Sequence, residues 1–320
     1  SKMFNNKKKT RNIRRKLKQL QKCANIRGID WVVLEQLSYI CNYEKEKANK
    51  RSYRKVMAYI LLSCLIIIML SVSFYNSIIS ARCLLPSNYL VWEATRPLAD
   101  CGYCADVTKP IVLRNITRRD FKNYAYSSRP IIVKNAINHW RAVKEFNFNF
   151  FKTLYEETVG SYESVDEGCQ FLNFKTDIYT LQEVFNMPEA RVKNEPGQSP
   201  WYVGWGNCHP NILEEVRQYY TSPDFLPKDA EFPSTENIFL GYEIGAVMHL
   251  DYISRLMWQG QVAGNKTWTV APVPECDHVC HKFEYFVEPG DVVLLDTRVW
   301  YHATKIPKGQ LSITVQSEYG

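Results

Sequence analysis

Residues 56–80 run for 25 positions without a charged side chain. The centre of that run, Tyr59-Ile60-Leu61-Leu62-Ser63-Cys64-Leu65-Ile66-Ile67-Ile68-Met69-Leu70, is apolar on every side of a helix. About 20 such residues cross the hydrocarbon core of a bilayer as a helix, so residues 56–80 are expected to form a single transmembrane helix. A buried core helix is the alternative, but a run with no polar face fits a soluble enzyme poorly. The run also lies too far from the N-terminus, and is too long, for the apolar stretch of a cleaved signal peptide.

Charge orients the span. Residues 1–55 carry 17 Lys and Arg against 4 Asp and Glu, a net +13, whereas the whole chain is +7, so everything after the tail sums to −6. In isolation the stretch from Lys7-Lys8-Lys9 to Arg14-Arg15-Lys16-Leu17-Lys18 would suit nucleic acid or a nuclear address. The adjoining span argues against that, and no nucleic-acid partner is expected. Arg51, Arg54 and Lys55 stand directly before the apolar run and Arg82 alone follows closely. The positive-inside rule then places residues 1–55 in the cytoplasm and those from about 81 onward in a lumen, of the endoplasmic reticulum or Golgi, or outside the cell. Such a tail is suited to rest on anionic lipid; a sorting or retention address is the other reading its charge allows.

Residues 81–124 read as a lumenal stalk, with Pro86, Pro97 and Pro110 and no hydrophobic period. Seven of the ten cysteines lie beyond the span: Cys83, Cys101, Cys104, Cys169, Cys208, Cys276 and Cys280. In an oxidising compartment most are expected to pair. A structural zinc site on Cys101, Cys104, Cys276 and Cys280, helped by His278 or His281, is the alternative. Seven is odd, so one thiol stays free or joins two chains as a disulfide-linked dimer. Asn115-Ile116-Thr117 is a glycosylation sequon on the expected lumenal side; Asn265-Lys266-Thr267 is a second, expected to stay unmodified in its short turn before a buried strand.

The residues suited to metal chemistry come late. His249 and Asp251 stand two apart in Met248-His249-Leu250-Asp251, and side chains two apart on a strand share a face. Trp300-Tyr301-His302 brings a second histidine behind the turn Glu288-Pro289-Gly290-Asp291 and the apolar strand Val292-Val293-Leu294-Leu295. Two histidines and one carboxylate can hold iron(II) on one face and leave the other open. The pair alone is a weak signal, because most histidines in strands are simply packed or surface-exposed. Between the two halves, Gly264-Asn265 makes a turn, after which Lys266, Trp268 and Val270 share one face. A lysine on an apolar interior face is costly unless an anion meets it; a surface lysine at a strand end is the plain alternative.

Taken together, residues 245–251, 261–268, 289–302 and 311–315 resemble the JmjC, or cupin-like, branch of the iron(II)/2-oxoglutarate oxygenases, in particular the factor-inhibiting asparaginyl hydroxylase type. Arg129-Pro130-Ile131-Ile132-Val133-Lys134-Asn135-Ala136 with Trp140 is similar to that family's first strand, and Trp201-Tyr202-Val203 to the strand bearing its 2-oxoglutarate tyrosine. The resemblance covers residues 125–320. It implies a mainly β (α+β) fold with flanking helices, a double-stranded β-helix or jelly roll. It also implies iron(II) on His249, Asp251 and His302, and 2-oxoglutarate gripped at its far carboxylate by Lys266 and Tyr202. Gln316 stands where an asparagine is common and reaches further. Trp258, close in sequence to the metal strand, is the substrate-facing candidate, while Trp201, Trp205 and Trp268 are expected as bulk around the mouth. Two features depart from the family. Ala246 replaces a hydroxyl residue and removes a hydrogen bond to the co-substrate. Two extra residues between Asp251 and Lys266 leave Arg255 and Met257 without an assignable role.

The reaction so implied decarboxylates 2-oxoglutarate to succinate while a C–H bond of a second substrate is hydroxylated. A lumenal domain has no access to histones, so a side chain of a secretory-pathway or membrane protein is the expected substrate, ahead of a small molecule or glycan. A catalytically inactive, membrane-tethered cupin-like binding protein is the alternative, which the Ala246 departure favours. A Golgi transferase shares the layout of tail, anchor, stalk and domain, but the chain has no D-x-D pair in a nucleotide-sugar context. Elsewhere, Phe146, Phe150, Phe151, Leu154 and Tyr155 recur at helical spacing and read as core, and residues 213–220 read as a second helix.

Overall fold

A computed structural model describes residues 15–80 and 89–320. The basic residues before Arg15, together with Arg82, Cys83 and Pro86, lie outside the described residues. The chain divides into two compact units, Ser1–Val91 and Trp92–Gly320.

In the first unit one helix, Trp31–Ser80, runs for 50 residues. Within it Ser52–Val72, 21 residues of mean hydropathy 2.4 with none buried, is long and apolar enough to cross a membrane. The expected window of 56–80 moves toward the N-terminus. Ser73, Asn76 and Ser77 dilute its far end, while Arg54 and Lys55 sit near the other edge, where long cationic side chains reach back to water.

The second unit is built on eleven strands: β1 Ile111–Arg114, β2 Ile131–Lys134, β3 Phe171–Asn173, β4 Tyr202–Asn207, β5 Glu236–Tyr242, β6 Leu256–Ala263, β7 Lys266–Pro272, β8 Phe283–Val287, β9 Val292–Leu295, β10 Trp300–Lys305 and β11 Leu311–Tyr319. They form an eight-stranded sheet in the order β1-β2-β9-β6-β11-β5-β4-β3 and a three-stranded sheet β10-β7-β8. Every pair is antiparallel except β1 with β2. This is the mainly β, cupin-like architecture with flanking helices.

β9 and the first three residues of β2 are apolar at every position because both of their faces are covered. Ile131, Val133, Trp258, Val292 and Leu294 turn toward the helices, where they join Trp140, Phe151, Tyr155, Trp201 and Trp205. Ile132, Met257, Val293 and Leu295 turn the other way and meet Trp268, Val270 and Trp300 of the small sheet. The aromatic helix is Phe148–Glu157, and Asn147 caps it by accepting a hydrogen bond from Phe150 N. The second helix is Pro210–Val216, ending earlier than its periodicity suggests.

The stalk reading of residues 81–124 fails from Trp92 onward, since that segment belongs to the compact unit. β1 extends the large sheet, and two disulfides, Cys101–Cys276 and Cys104–Cys280, fasten the preceding turn to the far end of β7. These bridges also replace the zinc alternative, and His278 and His281 point into solvent. A third bridge joins Cys169 to Cys208. Six of the seven cysteines past the apolar span are thereby paired, and the seventh, Cys83, is outside the described residues.

The two parallel bridges are redundant in entropy. Either one closes a loop of about 175 residues, a cross-link that contributes about 5 kcal/mol in the chain-entropy picture, and the second then closes only a short ring at about half that. Replacing either pair with serine is therefore expected to lower unfolding free energy by roughly 2–3 kcal/mol, and replacing both by more than twice as much. Urea titration of the full chain in detergent, without reductant, measures the difference.

Candidate metal centre and anion pocket

His249 and His302 meet across a single antiparallel bridge, with His249 N donating to His302 O at 3.1 Å and His302 N to His249 O at 2.9 Å. The expected strand through residues 248–251 is thus one bridge in an irregular segment, and β5 stops at Tyr242. Gly245 explains the close approach, because a side chain there would run into the Thr304 carbonyl. Asp251 is held by its backbone N–H, which donates to Thr297 O at 3.0 Å. One ligand atom each from His249, Asp251 and His302 lies within 4.8 Å of the other two.

The hydrogen bonds at Nδ1 settle which nitrogens face inward. His249 Nδ1 lies 2.5 Å from Val247 O and His302 Nδ1 lies 3.3 Å from Trp300 O. A carbonyl only accepts, so each Nδ1 carries its proton and each Nε2 is turned to the Asp251 carboxylate, at 3.2 Å and 3.7 Å. Burial pushes His302 down to about 4 and keeps it neutral. Burial would also lower His249, but the hydrogen bond and charge of Asp251 outweigh it and raise its pKa. The Asp251 carboxyl, which burial would raise, is held low by His302 and His249. Two imidazole lone pairs and a carboxylate oxygen therefore converge on one small space, which a proton on His249 relieves only in part. A divalent cation with nitrogen and oxygen ligands fits this donor set.

Lys266 begins β7 and points inward, fully buried. Its Nζ donates to Tyr202 Oη at 2.8 Å, Thr314 Oγ1 at 3.2 Å and Gln259 Oε1 at 3.4 Å. All three partners are neutral, and burial pulls the ammonium down to about 7. Gly264, at φ +63°, makes the turn that aims the lysine, and a side chain there would meet the Leu311 carbonyl. The pocket and the metal trio share β10. Thr304, two residues after His302 on the same face and so about 7 Å along the strand, lies beside Tyr202.

Of the residues singled out by sequence, His249, Asp251, His302, Lys266 and Tyr202 face this one interior. Gln316 reaches it indirectly, accepting a hydrogen bond from Gln259 Nε2 at 2.7 Å. Trp258 does not face it. Its side chain is 1% exposed and packs edge-on against Trp140 in the helix-side core, because on β6 it has the opposite parity to Met257 and Gln259. Trp201 and Trp205 share that helix-side core; Trp268 does line the interior, stacked 5.8 Å from the His302 ring. Arg255 pairs with Glu231 at 2.8 Å, away from the pocket. Gln259, Thr304 and Thr314 were missed. Counting by twos from His302 along β10, or from Ser312 along β11, finds the two threonines.

With this geometry in place, comparison with known proteins is informative. The sequence profile of the cupin-like domain matches residues 117–282, a little over half the chain, and the chain belongs to that family. The match includes Tyr202, His249, Asp251 and Lys266. Three solved structures of Escherichia coli YcfD, two of them described as a ribosomal oxygenase, are similar to it. They show 15–16% identity and TM-scores of 0.40–0.42, over 64–66% of this chain. The chain spans about half the length of those structures, 52–53%. No curated protein sequence matches.

The lowered Lys266 pKa makes anion binding proton-linked. Above pH 7 the free chain holds this lysine increasingly neutral, and a bound carboxylate restores its proton, so binding takes up as much as one proton. Affinity for a carboxylate ligand at Lys266 is expected to fall about tenfold for each pH unit between 7.5 and 9. Calorimetry on the Mn(II)-loaded chain, in buffers of different ionisation heat, counts the protons, and Lys266→Met should abolish the uptake.

Proposed function

We propose that the chain is a membrane-anchored iron(II)/2-oxoglutarate oxygenase that hydroxylates a side chain of a secretory-pathway or membrane protein. The observation that carries this reading is the convergence of His249, Asp251 and His302 in the same interior as a fully buried lysine, for which no carboxylate partner is present among the described residues.

Iron(II) held by His249, Asp251 and His302 would supply the redox chemistry by which oxygen, 2-oxoglutarate and a substrate C–H bond become succinate, carbon dioxide and the hydroxylated substrate. The chain's own part is positioning. His249 and His302 present Nε2, with Nδ1 pinned to backbone carbonyls, and Asp251 supplies the charged ligand. Lys266 and the Tyr202 hydroxyl receive the far carboxylate of the co-substrate, with Thr314 and Gln259 orienting the ammonium. The apolar walls contributed by Met257, Val270 and Trp268 exclude water from this region.

The cationic residues Arg51, Arg54 and Lys55 at the N-terminal edge of the apolar stretch support a cytoplasmic tail and a lumenal domain. Three disulfides support an oxidising compartment. The loss of a hydroxyl at Ala246, which favoured an inactive binding protein, is offset locally, since Thr304 Oγ1 accepts from Ala246 N at 2.9 Å and brings a hydroxyl to the same place.

Anaerobic addition of iron(II) and 2-oxoglutarate to the full chain should raise a visible charge-transfer band, and admission of air should yield succinate. His249→Ala should lose both. Lys266→Ala should keep iron binding but weaken 2-oxoglutarate by at least tenfold, the order expected for a buried charge-assisted contact. No band and no succinate from the intact chain would leave the binding-protein reading in its place.

A further inference from the structure

The stretch just ahead of the family-matched region carries a carboxylate that reaches the metal centre from outside. Glu93 Oε2 accepts a hydrogen bond from the Tyr301 hydroxyl at 2.8 Å and from the Tyr252 hydroxyl at 3.3 Å. Tyr301 directly precedes His302, and Tyr252 directly follows Asp251. One carboxylate therefore holds the immediate neighbours of two metal-ligand candidates that arrive on separate stretches of chain.

Glu93 is itself held. Its Oε1 accepts from Arg96 Nε at 2.9 Å, and Arg96 grips Glu275 through two parallel bonds of 2.7 Å. Glu275 also accepts from Ala99 N at 3.1 Å and adjoins Cys276, the partner of Cys101. The neighbouring Trp92 ring stacks on Tyr252 with centroids 4.8 Å apart. The same stretch forms one wall of a cavity of about 470 Å³ that is also lined by Asp251, Tyr252 and Ile253. Charge-assisted, shared hydrogen bonds of this kind hold geometry more tightly than neutral ones. A metal site needs its ligands held to within about 0.5 Å.

We propose that Glu93 is a positioning residue for the metal centre: by tying Tyr252 to Tyr301, it fixes the separation between the segment carrying Asp251 and the strand carrying His302. The identity of the ion rests on the oxygenase reading above; the clamp rests on the contacts just described.

The test uses the full chain in detergent with Co(II) as the probe. Glu93→Ala should weaken Co(II) binding by about tenfold or more, in the range seen when partners behind metal ligands are removed, and should alter the visible d–d bands. Glu93→Gln retains an acceptor and should recover part of the affinity. Tyr301→Phe should weaken binding less than Glu93→Ala, and the two changes together should cost less than the sum of their separate effects, because they share one interaction. Glu189→Gln, which removes an exposed carboxylate elsewhere, is the control. Amide exchange at the His249–His302 bridge in the metal-free chain is the second readout, expected to quicken in Glu93→Ala and Tyr301→Phe. Should Glu93→Ala fail to fold, Glu93→Gln and Tyr301→Phe still decide. Unchanged Co(II) affinity, bands and bridge exchange across these variants would overturn the clamp. Failure of the unaltered chain to bind Co(II) would instead count against the metal reading, and the exchange data would still judge the clamp.

Discussion

A buried amine without a counter-charge sets the terms for everything around it. Lys266 sits on the inner face of β7 with two hydroxyls and an amide oxygen as partners, and a charged ammonium in such a place is costly unless an anion compensates it. The free chain sheds that cost by giving up the proton near neutrality. The metal trio poses the opposite problem at the other end of the same interior, where lone pairs and a carboxylate crowd together. A divalent ion on neutral His249, neutral His302 and ionised Asp251 leaves one positive charge, and protonated Lys266 adds another. A dicarboxylate spanning the two ends brings the sum to zero, so each difficulty is relieved by the ligand set that the other also requires.

The sequence was most legible where strand periodicity and special residue types coincide. His249, Asp251, Lys266 and His302 are polar residues in apolar surroundings; the two-residue period sets the faces of Lys266 and His302 on β7 and β10, whereas His249 joins them through a single bridge. Tyr202 was reached through resemblance rather than pattern, since Tyr202 to Asn207 is buried at every position and periodicity there carries no direction. Trp258 was lost for the complementary reason. In the doubly covered β6 even Gln259 and Gln261 are buried among apolar residues, so polarity marks no solvent face, and sequence proximity to Asp251 could not reveal that the parity of Trp258 turned it to the helices. Thr304 and Thr314 escaped notice because threonine is ordinary in strands.

The segment after the apolar span was misread for a different physical reason. Prolines, a short β1 and a single turn of 3₁₀ helix at Cys101–Tyr103 give no period to detect. What holds the segment to the domain is non-local: two bridges to residues some 175 positions away, and the ion pair of Arg96 with Glu275. Cysteine counting predicts that pairs form, but four cysteines admit three connectivities and spacing alone does not choose among them. A carboxylate such as Glu93 offers no signal in sequence, because its meaning comes wholly from the two tyrosines it meets.

That non-local fastening ties the redox state of the cysteines to the geometry around the trio. The family match ends before the second histidine and begins after the Trp92–Cys104 region, so the braces around the trio come partly from chain that the family profile does not describe. Cys101–Cys276 and Cys104–Cys280 hold Glu275, Glu275 holds Arg96, and Arg96 holds Glu93 against the tyrosines beside Asp251 and His302. Disulfides persist only where thiols are kept oxidised. Without the bridges the segment would keep one four-residue strand, the part-buried pair of Arg96 with Glu275, and the contacts of Tyr103 and Val107 with the small-sheet core. The two disulfides thus fasten a stretch with little core of its own beside the site.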